Sequence, residues 1–179
     1  MRKLYKKKNI NIGILGGTFD PPHKGHLYIS KIAIRKLKLN KLIWIVTKKN
    51  PLKKNPFLNL KLRINLAKKM VHKDKKIDVK YYDDKVKSFH TFKLLKYIKK
   101  RNKKKKLFFL IGSDNLAKLH KWHDWKKIPN LAKIVVFPRK NYSINKPKWI
   151  ASKKLNKEDL IYMKSKLINI SSSIIRKFW

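Results

Sequence analysis

The chain has 179 residues, enough to bury a core within one domain, and carries 50 Lys plus Arg against 9 Asp plus Glu, a formal net charge of +41. It has no Cys, which excludes a disulfide framework, thiolate chemistry and a Cys-based metal site. No segment approaches the roughly 18 apolar residues of a membrane span, and the short apolar stretch after the basic start lacks a small-residue cleavage site, so a soluble cytoplasmic protein is expected. A field of this sign attracts polyanions. Yet the excess is mainly Lys, scattered along the chain with abundant Ile and Asn. All three have A/T-rich codons, so a biased genome accounts for the lysines more simply than a dedicated nucleic-acid surface. Neither nucleic acid nor membrane is an expected partner.

Apolar and amphipathic segments alternate. A strand is expected over 10–15 and a helix over 27–37. The apolar run 42–47 (L-I-W-I-V-T) reads as a parallel strand buried on both faces. Pro51 and Pro56 mark 48–59 as loop. A helix at 60–71, a short strand at 77–82 and a helix at 91–100 follow, the last with Leu94, Leu95 and Ile98 on one face. Strands are expected at 107–111, ending at Gly112, and at 133–137, closed by Pro138. The pattern then predicts a helix over 160–166, a strand over 167–170 and a short helix from Ser171. The basic run 99–106 reads as a solvated turn. Strands separated by helices of this length predict an α/β fold: one doubly wound, Rossmann-like parallel sheet with helices on both faces, a single domain over 1–179. In such sheets ligands bind beyond the carboxyl ends of the strands, and three motifs fall there.

The first is Gly16-Gly17-Thr18-Phe19-Asp20-Pro21-Pro22-His23-Lys24-Gly25-His26. It reads as a strand end, a tight glycine turn and a helix start, where paired glycines let backbone approach a phosphate chain. His23 and His26, three residues apart, can face one ligand. The spacing is neither the G-x-G-x-x-G fingerprint nor a P-loop. The second motif is Gly112-Ser113-Asp114-Asn115-Leu116, followed by Trp122-His123 and Trp125. Asp114 there either caps a helix or accepts hydrogen bonds from a ribose. The two indoles are either core or site, each N–H needing a partner. The third is Ile170-Ser171-Ser172-Ser173-Ile174-Ile175-Arg176. It is either a capped terminal helix or an anion site with Arg176 forked onto phosphate oxygens.

Together, G-G-T-F-D-P-x-H-x-G-H, G-S-D-x-L…W-x-x-W and I-S-S-S-x-I-R resemble, in order, the signatures of the nucleotidyltransferase superfamily with the (H/T)-x-G-H motif. They resemble in particular its bacterial nicotinate-nucleotide adenylyltransferases. The resemblance runs from Ile10 to Arg176. It implies an enzyme of NAD biosynthesis that moves the adenylyl group of ATP onto nicotinate mononucleotide and releases pyrophosphate. It also implies that Gly16, Gly17, Thr18, Phe19, His23, His26, Gly112, Asp114, Ser172, Ser173 and Arg176 bind ATP. Trp122 is implied to stack on the nicotinate ring, with backbone at Trp122-His123 meeting its carboxylate. Ser88 stands where a family Thr meets the nicotinate. The family's Pro-His-Lys/Arg is represented by Pro51-Leu52-Lys53, which keeps a cation for catalysis and loses the imidazole.

A phosphate monoester is already anionic at pH 7, so adenylyl transfer needs positioning and charge neutralisation rather than a general base. His26 is assigned to the α-phosphate and His23 to the triphosphate, both as hydrogen-bond donors, with Lys53 and Arg176 completing the catalytic set. The sequence offers no acidic cluster for a metal cage, so Mg²⁺ is expected to arrive with ATP. Three alternatives stay open: a pantetheine-phosphate acceptor, a nicotinamide mononucleotide acceptor, and a basic nucleic-acid-binding protein on the same fold. The sequence leaves a homo-oligomer open.

Overall fold

The apolar runs of the chain pair side by side as strands, and the amphipathic runs between them fold back as helices. The computed structural model describes residues 10–52, 55–144, 149–167 and 170–178. The elements are β1 (Asn11–Gly17), α1 (Lys24–Lys36), β2 (Lys41–Val46), α2 (Leu60–Val71), β3 (Ile77–Lys80), α3 (Asp83–Val86) and α4 (Thr91–Arg101). They continue with β4 (Lys106–Gly112), α5 (Ser113–Lys118), β5 (Lys133–Phe137), α6 (Ile150–Lys154), β6 (Leu160–Tyr162) and α7 (Ser172–Ile175). All neighbouring strands are parallel, in the order β3-β2-β1-β4-β5-β6.

Successive residues of a strand face opposite sides of a sheet, so a run apolar at every position supplies two cores at once. Ile43 and Ile45 of β2 join Ile12, Ile14, Phe109, Ile134 and Val136 in one cluster, packed with Leu94, Leu95 and Ile98 of α4 and Leu116 of α5. Leu42, Trp44 and Val46 join Leu15, Leu110, Val135 and Phe137 in the other, packed with Ile32 and Ala33 of α1 and Ala67 and Val71 of α2. The sheet is thus wound with helices on both faces, as the alternation predicts. The strand order reverses between β1 and β4, the switch point at which ligands bind.

The run 99–106, read as a turn, closes α4 through Arg101 and opens β4 at Lys106, so only 102–105 is turn, and three further differences are larger. Residues 160–166 are not a helix: Leu160–Tyr162 forms β6, pairing Leu160 with Ile134 and Tyr162 with Val136. The open edge of β5 offers hydrogen bonds that a short Leu-Ile-Tyr segment fills more readily than it nucleates a helix. The strand expected at 167–170 is absent at Leu167 and Ile170, and its middle lies outside the described residues. Gly16 and Gly17 are not a turn. They pair with Ile45 and Val46 inside the ladder, and the first left-handed residue after them is Phe19, φ 49°.

The loops at the carboxyl edge lack strand partners for their backbone groups, and side chains of α2, α3 and the first loop supply them. Arg63 lies on the inner stripe of α2 with Ala67 and Val71 and is 2% exposed. Its Nε donates to the Leu58 carbonyl at 3.0 Å and its Nη1 to those of Thr18 and Thr47 at 2.6 and 2.7 Å. Nη2 donates to that of Lys48 at 3.0 Å. Carboxylates take the complementary N–H groups. Asp20 accepts from Phe57 and Leu58, both at 2.8 Å, and Asp83 from Lys48 at 2.7 Å. Replacing Arg63 by Met strands four carbonyls and removes a positive charge that interacts with the buried carboxylates of Asp20 and Asp83. Urea unfolding should show a loss of about 3–5 kcal/mol, the scale of breaking a buried charged network. An unchanged midpoint would mean that water satisfies the loops as well as the guanidinium does.

Candidate active site

A cavity of about 960 Å³ opens at the carboxyl ends of β1 and β4. Gly16, Gly17, Thr18, Phe19, His23 and His26 line it from the first loop, Gly112 and Asp114 from the end of β4. Ser88, Trp122 and His123 line it on one side, Ser172, Ser173 and Arg176 on another. Every sequence-predicted site residue among those described therefore faces one space. Lys53 lies outside the described residues.

The two imidazoles are held by the start of α1. His23 is its N-cap, its Nδ1 accepting from the Gly25 N–H at 3.2 Å, while the Nδ1 of His26 accepts from the His23 N–H at 3.2 Å. This reciprocal capping box satisfies helix-end donors that would otherwise be orphaned. It also fixes the tautomer: a neutral ring accepting at Nδ1 carries its proton on Nε2, so both rings offer an Nε2–H donor. Their centroids lie 3.8 Å apart. The His26 ring rests on Phe19 at 4.8 Å, and Phe19 stacks on Trp44 at 4.9 Å. Trp44 Nε1 donates to Ser30 Oγ, which donates to the His26 carbonyl, at 2.8 and 2.7 Å. Thus the core strand β2 sets the position of the helix start.

His23 is 3% exposed. Burial, and secondarily the positive charge of Arg139, lower its pKa from 6.5 to about 4. It is a neutral donor at pH 7. Gly16 and Gly17 have a different logic from Gly25. A Cβ on Gly25 would lie 2.9 Å from the His23 ring, so the capping box itself demands glycine there. A Cβ on Gly16 would meet only Phe109 at 3.9 Å, and one on Gly17 the Phe19 ring at 3.6 Å. Those are ordinary contacts. What a side chain at 16 or 17 would take is cavity space.

The third motif closes onto the first. Ser171 caps α7 by accepting from the Ile174 N–H at 3.2 Å, and Ser172 Oγ donates to the Pro21 carbonyl at 2.9 Å. Arg176 Nη1 donates to the Asp20 carbonyl and lies 3.4 Å from its Oδ2; Nη2 donates to Ser173 Oγ at 3.2 Å. In the second motif the capping reading of Asp114 fails. Gly112 is the N-cap of α5, and no side chain caps that helix. Trp122 is half-buried, edge-on to Phe109 at 6.3 Å, and faces the cavity, whereas Trp125 packs only on the core. The His123 ring lies 4.6 Å from that of His90, beside Ser88 Oγ, which accepts from the His90 N–H at 3.1 Å. Among the described residues no group of three or more His, Asp and Glu is placed to hold a metal, and no helix is long and apolar enough to cross a membrane.

Asp20, Arg63, Asp83 and Arg139 escape the sequence reading. Arg63 carries a signal: it falls on the apolar face of the 60–71 helix, four residues before Ala67 and eight before Val71. Arg139 follows Pro138 at the carboxyl end of a predicted strand, where ligands are expected. Asp20 sits inside the first motif.

A parallel sheet in this order, with a cleft of this size at its switch point, is the architecture of a doubly wound, nucleotide-binding α/β protein. Residues 14–178 match the cytidylyltransferase-like family. The chain is 45% identical over 171 residues to a Pelagibacter ubique protein named probable nicotinate-nucleotide adenylyltransferase, covering 96% of this chain and 94% of that one. A Clostridium novyi protein of the same name is 35% identical over 169 residues, covering 92% and 84%. The fold matches Plasmodium falciparum nicotinic acid mononucleotide adenylyltransferase complexed with NaAD at a TM-score of 0.75, 22% identity, covering 95% and 84%. The chain belongs to the cytidylyltransferase-like nucleotidyltransferases, among the nicotinate-nucleotide adenylyltransferases.

Two measurements check the site. Nitrogen-15 NMR should find His23 in the Nε2–H tautomer and neutral down to about pH 4. Because the unfolded imidazole binds its proton first, His23 contributes stability above about pH 6.5 that is lost as pH falls toward 4. A His23→Gln variant should lack this contribution to the slope. Gly17→Ala should unfold within about 1 kcal/mol of the parent, the scale of a glycine-to-alanine exchange in an element, yet lose measurable ATP binding. Normal ATP affinity in that variant would show that no ligand needs the space.

Proposed function

We propose that the protein transfers the adenylyl group of ATP to the 5′-phosphate of nicotinate mononucleotide, forming nicotinate adenine dinucleotide and releasing pyrophosphate, a step of NAD biosynthesis. The observation that carries this is the pair of imidazoles fixed by the α1 capping box at the wall of a cleft that Arg176 and Asp114 also line. Adenylyl transfer forms one P–O bond at the α-phosphorus while the bond to the leaving pyrophosphate breaks. The nucleophile is an anion already, so preorganised donors and cations supply the catalysis.

His26, braced on Phe19, donates to the α-phosphate. His23, neutral and buried, donates to the triphosphate. The backbone of Gly16, Gly17, Thr18 and Phe19 runs beside the phosphates, and Arg176, Ser172 and Ser173 take further oxygens. Gly112 leaves room at the nucleoside, and Asp114 accepts from its ribose. Trp122 stacks on the nicotinate ring with His123 and Ser88 at its carboxylate, and Lys53 adds charge for the acceptor phosphate. The nucleotide substrate is MgATP, so the metal enters with it. Residues 1–179 act as one cytoplasmic domain on small molecules, with no nucleic acid or membrane partner; assembly into a homo-oligomer is compatible with this role. The lysines at the cavity edge, Lys49, Lys121 and Lys140, steer anionic substrates inward.

Pyrophosphate release with ATP and each acceptor in turn tests the reading. Nicotinate mononucleotide should be preferred over its amide by tens-fold or more, because donors arranged for a carboxylate are mismatched by an amide nitrogen. His26→Ala should cut turnover by about a hundredfold, with a far smaller change in KM for ATP. Equal rates with both mononucleotides would refute the acceptor assignment, and activity only with phosphopantetheine would overturn the function.

A further inference from the structure

Arg139 has no contact with substrate in the account above, yet it lines the cleft. It follows β5 and Pro138 and lines the cavity. Its place is fixed from below by a small hairpin. The backbone of Arg139 bridges that of Tyr142 in antiparallel fashion, with Asn141 left-handed at φ 66° between them. Ser113, fully buried, clamps that hairpin to the end of β4: its Oγ accepts from the Arg139 N–H at 2.9 Å and donates to the Tyr142 carbonyl at 2.8 Å.

The side chain then crosses Gly112. A Cβ there would lie 3.1 Å from Arg139 Cγ and Nε and 2.3 Å from Asp114 Oδ1, so the glycine makes the passage. What the guanidinium reaches is poorly matched to it. Nε stands 3.9 Å from Asp114 Oδ1, an ion pair too long for a hydrogen bond. That carboxylate oxygen is buried and has no donor among the described residues. A buried acceptor left without a donor costs about 1–3 kcal/mol, and a planar guanidinium prefers two parallel bonds to oxygens. His23 lines the same cavity, and the charge of Arg139 lowers its pKa in part.

We propose that Arg139 is a phosphate-binding residue of the nucleotide site, held loosely by Asp114 until the triphosphate takes its guanidinium. Its position between the His23 donor and the nucleoside end of the cleft suits the α- and β-phosphate oxygens, which its planar fork can take two at a time. The same exchange frees Asp114, whose buried oxygen is already an acceptor in want of a donor, to take the ribose hydroxyls. The fit to a nucleoside triphosphate rests on the adenylyl-transfer reading. The specific claim is that this arginine, with Arg176, neutralises the phosphates.

Isothermal titration of ATP and of adenosine into the full chain, the Arg139→Gln variant and the Arg139→Lys variant tests the inference. Arg139→Gln should weaken ATP by about 10- to 100-fold, the worth of a hydrogen bond to a charged group. Arg139→Lys should recover only part, keeping the charge and losing the fork. Adenosine affinity should not fall in Arg139→Gln, since adenosine presents no phosphate to the lost charge and Asp114 is no longer held by the guanidinium. ATP binding unchanged in Arg139→Gln overturns the proposal and leaves adenylyl transfer standing. Equal losses for ATP and adenosine also overturn it, assigning Arg139 to the shape of the nucleoside pocket. A parent protein that binds neither would sink the nucleotide reading itself.

Discussion

A single guanidinium holds the catalytic edge of this sheet together. Loops that leave the carboxyl ends of strands have backbone groups that the ladder no longer pairs, and burying them unpaired is costly. Arg63 resolves this for the loops after both β1 and β2, because its five donors in one plane reach carbonyls of Thr18, Thr47, Lys48 and Leu58 together. Lys, with one compact ammonium, has no geometry for that task. The charge is buried at a cost, which Asp20 and Asp83 offset while pairing N–H groups of the same loops. Asp20 extends the network to Arg176, so its reach runs from α2 to the last helix.

The electrostatics of the site are set against the composition of the chain. Of nine acidic residues in a chain of charge +41, Asp20 and Asp83 are buried in this framework and Asp114 lies at the cleft. Meanwhile His23, which could have added a further charge, is kept neutral by burial. A field from scattered surface lysines draws anions in but cannot orient them, being screened within about 8–10 Å at ordinary ionic strength. The groups at the cleft are instead fixed in place by hydrogen bonds. The capped histidines, Ser172 on Pro21 and Ser113 under Arg139 are all of this kind.

The architecture is legible in the sequence where one physical signal dominates. The runs at 42–47 and 133–137 have no polar face, so they fit only a sheet covered on both sides. The 60–71 helix shows its apolar stripe and matches α2 residue for residue. Legibility fails where tertiary context decides. Leu160–Tyr162 carries a pattern short enough for either helix or strand, and the vacant edge of β5 chooses. The helical start of α1 lies three residues before the first apolar position, because the histidines form its cap. The three motifs lead to the right edge of the sheet, while the residues that brace them, Arg63 and Asp83 above all, sit in segments whose charge looks like ordinary solvation. Arg63 is distinguishable from the other basic residues only by its register with Ala67 and Val71.

The clasp of Ser172 and Arg176 on Pro21 and Asp20 joins positions about 150 residues apart in the chain. During synthesis the first loop, α1 and β2 leave the ribosome early and can pair locally, but the wall contributed by the serines and Arg176 emerges only about 150 residues later. A nascent chain therefore has the glycine strand and both imidazoles long before the cleft has its far wall.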